Sequence, residues 1–173
     1  CPMRITELFT AQSIALDVAA PDQAAILDKL VDLQATHGNI TDKDAYKKAL
    51  YAREAEGSTY VDNGITVPHA KTNVVTRPSL AALRLSTPVQ YNADDDGKTD
   101  LLFAIAAPEN GSLHIDMLAR MMQMLMNEDF VEKLKAAKTP AEFLDCIDAQ
   151  EEAQFGAESF TQQEIPQSGY RIL

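Results

Sequence analysis

Cysteine is nearly missing from this chain, with only Cys1 and Cys146 in 173 residues. Without a spaced framework, two cysteines argue against a disulfide scaffold and favour a reducing compartment. Tryptophan is absent and aromatics are only 6% of residues. Histidine is scarce too: His37, His69 and His114 show neither HxH nor HExxH spacing, which speaks against a metal site. The longest apolar run covers residues 101–108, far below the ~18 residues of a membrane span. No charged segment leads into an apolar one as in a secretory signal. A glycine-rich phosphate loop is lacking, so a nucleotide site has no support. Positive charge is in deficit: 15 Lys and Arg against 26 Asp and Glu leave a formal charge of −11. Such a chain repels nucleic acid and anionic membranes and suits a basic protein partner. The same acidity also serves solubility.

What is present fits one globular domain with a real core: 46% of residues are hydrophobic and 24% charged. Six methionines suggest adaptable packing in places. Strands are expected over residues 13–18, 58–61, 65–68, 80–85 and 100–107, the last apolar throughout and so buried on both sides. Helices are expected over 21–38, 41–57, 112–127, 128–137 and 140–149, the second opened by a capping box at Thr41 and stopped by Gly57. Residues 94–97 read as a turn. Strands mixed with helices predict an α/β fold, a three-layer α/β/α sandwich around a mixed central sheet. Residues 151–169 are rich in Gln, Ser, Gly and Pro, which is linker composition. The apolar end, residues 170–173, reads as the cut start of a following domain. Cys1-Pro2 ahead of Met3 reads as a cloning remnant, with Met3 the natural start.

The stretch Asn63-Gly64-Ile65-Thr66-Val67-Pro68-His69-Ala70 carries the strongest signal. A β-branched run ends in a proline that fixes its own φ and biases Val67 to extended geometry. His69 then sits at the stiff end of a strand, preset as a nucleophile; the other reading is a histidine capping a turn. His114 falls in the first turn of a helix after Ser112, on a stripe with Leu118, Met121, Met122 and Leu125. The dipole there disfavours imidazolium, and a neutral ring can donate an N–H to a phosphate; alternatively it bonds a carbonyl at the core edge. Arg53 shares a helical stripe with Tyr46, Ala49 and Leu50. It calls for an anion there, or else snorkels to solvent or pairs with Glu54 or Glu56. His37, beside Gly38, suits a helix-end role, and Cys146 reads as core.

Taken together, Arg53-Glu54, Gly57-Ser58-Thr59 and Asn63 to His69, followed by Asp100 to Pro108 and Ser112-Leu113-His114, resemble the type-2 enzyme IIA domain of the bacterial sugar phosphotransferase system. The fructose branch is the nearest in pattern. Two departures stand out: Thr66 replaces a usual alanine, and Asp62 stands where glycine is common.

The resemblance implies a phosphotransferase domain over residues 3–150, a linker over 151–169, and the start of an enzyme IIB-like domain at 170–173. It implies that phospho-HPr donates a phosphoryl group to His69, with His114 and Arg53 stabilising it, and that a IIB domain takes it onward. Neither cofactor nor metal is implied, nor any nucleic acid. Membrane association would come only through a fused or associated IIC domain, with the chain itself cytoplasmic. The alternative is a regulatory IIA-like module, of nitrogen or transcription-control type, phosphorylated on the same histidine.

Overall fold

The structure is a computed structural model that describes residues 4–94 and 96–156; the side chains of Leu113 and His114 also lie outside the described set. Two units divide the chain, one from Phe9 to Glu109, the other joining the residues up to Leu8 with those from Asn110 onward.

The first unit is a mixed sheet with two helices. Its strands are β1 (Ile14–Val18), β2 (Tyr60–Asp62), β3 (Ile65–Thr66), β4 (His69–Lys71), β5 (Ser79–Val89) and β6 (Thr99–Ala107). The order is β1-β5-β6-β3-β2, with β4 also on β6. Pairing is antiparallel for β5–β6 and β2–β3 and parallel for β1–β5, β3–β6 and β4–β6. The mixed α/β character expected from the sequence is therefore found. Helices α1 (Gln23–Ala35) and α2 (Lys43–Glu56) cover the face that carries Ala81, Leu83, Leu102, Ala104 and Ala106. The opposite parity, Leu80, Ala82, Leu101, Phe103 and Ile105, is buried as well, and Phe9 meets Phe103 edge-on at 6.4 Å. This explains the unbroken apolar run of β6.

Helix α2 begins one residue later than the sequence suggests. Asp42, not Thr41, is the N-cap and accepts from Ala45 N at 3.0 Å. Gly57 ends it as expected. Tyr46 and Leu50 are fully buried, and each such side chain stabilises the packing by about 1.5–3 kcal/mol. That burial fixes where the last turn, with Arg53 and Glu54, is delivered.

The second unit holds a short 3₁₀ turn (Ile5–Leu8) and helices α3 (Leu113–Leu125), α4 (Glu128–Ala136) and α5 (Pro140–Phe155). The buried stripe of α3 is Met117, Met121, Met124 and Leu125; it keeps Met121 and Leu125 of the expected stripe but turns about a sixth of a turn away from Leu118 and Met122, which are half-buried. Helix α5 runs on through residues expected to be linker. Glu151 within it is fully buried and accepts from Ile5 N at 3.0 Å and Arg120 at 2.8 Å. Arg120 also lies 4.3 Å over the Phe155 ring. Residues 157–173, with the rest of the expected linker and the expected start of a next domain, lie outside the described residues. Cys146 is half-buried rather than core. No helix among the described residues is long and apolar enough to cross a membrane.

Candidate functional site

One edge of the sheet is interrupted where the chemistry sits. Strands β3 and β4 run along β6 in a single register, pairing Ile65 with Leu101, Thr66 with Leu102 and His69 with Ile105. Pro68 has no N–H, so the ladder breaks there, while its carbonyl still accepts from Ile105 N at 3.0 Å. His69 thus opens β4 instead of ending the preceding strand. The β2–β3 hairpin ahead of it turns at Asn63 (φ 55°) and Gly64 (φ 81°), the two left-handed positions that favour Asn-Gly.

The imidazole of His69 is held at both nitrogens. Nδ1 is 2.9 Å from the Val67 carbonyl. Arg53 Nε donates to Nε2 at 3.2 Å. A carbonyl only accepts and a guanidinium only donates, so the proton belongs on Nδ1 and the lone pair on Nε2. An imidazolium would set N–H against N–H. The arrangement therefore selects the neutral ring with its nucleophilic nitrogen beside a cation. Val67 and Ala70 are buried and His69 is half-buried, so the ring is the part of this segment open to a partner.

Arg53 comes from the last turn of α2, and its second nitrogen donates to Gly57 O at 2.9 Å. It neither snorkels nor pairs with a neighbouring glutamate. The structure brings Arg53 and His69 together; His114 is the second residue of α3, and its side chain lies outside the described residues. Ser112 occupies the N-cap of that helix without a side-chain capping bond. His37 is away from this group: its Nε2 lies 3.0 Å from Leu80 O, and burial, aided by nearby Arg77, lowers its pKa from the usual 6.5.

The departures at 62 and 66 have local answers. Asp62 is exposed and accepts from Asn63 N at 2.9 Å. Thr66 is buried and shares a 2.7 Å hydrogen bond with the Thr99 hydroxyl.

Sequence reasoning gave no role to a buried polar cluster behind this pair. Glu54 accepts from Thr59 N at 3.0 Å, Thr59 Oγ1 at 2.7 Å and Asn92 Nδ2 at 2.7 Å. Tyr91 is buried beside it, and burial first, then the Glu54 carboxylate, pushes its hydroxyl pKa up, keeping it neutral. The cues were the motif residues Arg53-Glu54 and Gly57-Ser58-Thr59, while Asn92 is distant in sequence.

Comparison with known proteins agrees in family and fold. Residues 7–150 match the family described as phosphoenolpyruvate-dependent sugar phosphotransferase system, EIIA 2. Over 146 residues, 84% of this chain, it is 34% identical to the fructose-specific EIIABC component of Bacillus subtilis (strain 168), of whose length it spans 23%. It is 35% identical over 141 residues to the fructose-specific EIIA component of Haloferax volcanii, covering 79% of this chain and 92% of that one. In fold it resembles the nitrogen regulatory protein IIA-Ntr from Neisseria meningitidis, with a TM-score of 0.77, 23% identity, and coverage of 83% of this chain and 98% of that one.

Proposed function

Because this chain belongs to the EIIA 2 family of the phosphoenolpyruvate-dependent sugar phosphotransferase system, we propose that it is a fructose-type phosphocarrier whose His69 takes a phosphoryl group from phospho-HPr and passes it to a IIB domain. The observation that carries this reading is the two-sided hold on His69: Nδ1 on the Val67 carbonyl and Nε2 beside the Arg53 guanidinium.

In the forward step Nε2 attacks phosphorus of the donor phosphohistidine in line. A new N–P bond forms on His69 as the N–P bond to the donor imidazole breaks. The Val67 carbonyl keeps its hydrogen bond and stabilises the positive charge that builds on the ring. Arg53 is close enough to turn its Nε–H from the nitrogen to an equatorial phosphoryl oxygen, and a planar guanidinium suits that geometry. Phosphoryl transfer of this kind needs position and charge neutralisation more than covalent assistance. His114 has its role from the family resemblance alone: an N–H donor to a phosphoryl oxygen. The half-exposed His69 ring would be the point of contact for HPr, and the formal charge of −11 favours a basic face on that partner.

The fructose-specific names of the two relatives support a role in sugar uptake. The Bacillus subtilis relative is an EIIABC component, which supports a IIB acceptor and a IIC membrane domain in the same polypeptide or in association with it, on the cytoplasmic side. A regulatory role through the same histidine draws on likeness to nitrogen regulatory proteins, in sequence at 30% and 32% identity and in fold.

The test is to incubate the protein with phosphoenolpyruvate, enzyme I and HPr and map the modified residue. Label is expected on His69 and absent from His69→Ala. Label persisting in His69→Ala overturns the assignment. His114→Ala is expected to accept phosphate slowly or pass it on poorly. Transfer onward to a fructose-type IIB domain separates uptake from regulation.

A further inference from the structure

The segment 57–59 between α2 and β2 belongs to no helix or strand, yet both supports of the His69 site depend on it. Gly57 O receives Arg53. Thr59 O receives Val67 N at 3.0 Å, which fixes the peptide plane whose neighbour, the Val67 carbonyl, receives His69 Nδ1. Something must hold this segment, and Glu54 does so at both ends. Its main-chain carbonyl accepts from Gly57 N at 3.2 Å. Its side chain accepts from both the N–H and the hydroxyl of Thr59.

Glu54 is itself held from the far side. Asn92 donates to it through Nδ2, while Asn92 Oδ1 accepts from Asp94 N at 2.8 Å. Flipping that amide would break both bonds, so its orientation is set. Both Glu54 and Asn92 are more than nine-tenths buried. A buried carboxylate bound by three neutral donors is costly to keep unless those bonds define a geometry.

We propose that Glu54 is a positioning residue for the phosphoryl-transfer site, holding the Nδ1–H tautomer of His69 and the pose of Arg53 through segment 57–59. This rests on His69 being the phosphoryl acceptor. Glu54 does not touch the reacting atoms; it acts through Thr59, Val67 and Gly57. Hydrogen bonding is the acting property, so glutamine should substitute. The Thr59 hydroxyl can turn from donor to acceptor and meet a glutamine Nε2, leaving the amide oxygen for the two N–H donors.

The experiment compares Glu54→Gln and Glu54→Met with the parent protein by two readouts. One is the long-range ¹H–¹⁵N spectrum of the His69 ring with no phosphoryl donor present, which reports the tautomer. The other is the single-turnover rate of phosphorylation by phospho-HPr. Glu54→Gln is expected to keep Nδ1 protonated and react within about threefold of the parent. Glu54→Met is expected to show mixed tautomers and react at least ~10-fold more slowly, the scale known for groups that orient a metal-binding histidine. An unchanged tautomer in folded Glu54→Met overturns the proposal. So does a Glu54→Gln variant as impaired as Glu54→Met, since charge would then be the acting property.

If Glu54→Met fails to fold, Asn92→Ala decides. It removes one of the three bonds and should bring in a measurable fraction of the Nε2–H tautomer; an unaltered ring spectrum overturns the proposal. A parent protein left unlabelled on His69 defeats the functional reading instead, and the tautomer spectra, recorded without donor, keep the two failures apart.

Discussion

Replacing Arg53 by alanine removes a cation from beside the reacting nitrogen while leaving the His69 ring anchored. In the resting protein Arg53 Nε lies 3.2 Å from His69 Nε2 and the other contact, at 2.9 Å, is to Gly57 O. As a phosphoryl group arrives on Nε2, the guanidinium becomes a charged donor to it. Loss of such a bond costs about 1.5–3 kcal/mol. At about 1.4 kcal/mol per decade that is a roughly 10- to 150-fold slower transfer. The Gly57 contact is at an exposed helix end, so the stability loss should stay below about 1 kcal/mol. Arg53→Lys keeps the charge but not the fork that spans ring and carbonyl, so its rate should fall between the two. The assay is the single-turnover rate of phosphorylation by phospho-HPr, with thermal unfolding as the control for folding. An Arg53→Ala rate within about twofold of the parent would refute the argument, because no charged bond in the transition state is worth so little.

Thr66→Ala, which restores the family's usual residue, should cost about 1–3 kcal/mol by stranding the buried Thr99 hydroxyl; adding Thr99→Val should recover part of it, and additive losses in chemical denaturation would contradict the pairing. Glu151→Ala should destabilise by about 3–5 kcal/mol, since it removes a fully buried carboxylate that joins Arg120 at 2.8 Å, Ile5 N at 3.0 Å and Arg4 at 3.4 Å; a change under about 1 kcal/mol in urea midpoint analysis would show these bonds to be dispensable. His37 has a folded-state pKa below its unfolded 6.5, chiefly through burial. The unfolded chain therefore takes up its proton first, and the contribution of His37 is complete above that value and is lost as pH falls through the folded one. His37→Gln should flatten this part of the stability profile as pH falls below 6.5; an identical slope in both proteins would exclude it.

Much of the site was legible because its cues are local. Val67-Pro68-His69 set an imidazole on a fixed backbone, and the helical phase of Tyr46, Leu50 and Arg53 marked an arginine on a buried stripe. The β2–β3 hairpin is not among the expected elements, although its Asn63-Gly64 pair is a local turn signal. What was not legible depends on partners far along the chain. The sequence offers Glu54 only as an ion-pair partner of Arg53, and the approach of Thr59 and Asn92 shows it as a buried acceptor. Glu151 lay in a Gln-rich stretch that reads as linker, and its burial rests on Arg120 and Ile5. In α3 the apolar residues span about two-thirds of the helix circumference, so periodicity alone could not choose between Met117 with Met124 and Leu118 with Met122.

The most direct measurement is which ring nitrogen of His69 carries the phosphoryl group after reaction with phosphoenolpyruvate, enzyme I and HPr, read by ³¹P and ¹⁵N NMR of the labelled protein. With Nδ1 committed to the Val67 carbonyl, the phosphoryl group is expected on Nε2 alone. A phosphoryl group on Nδ1, or on any residue other than His69, would contradict the account.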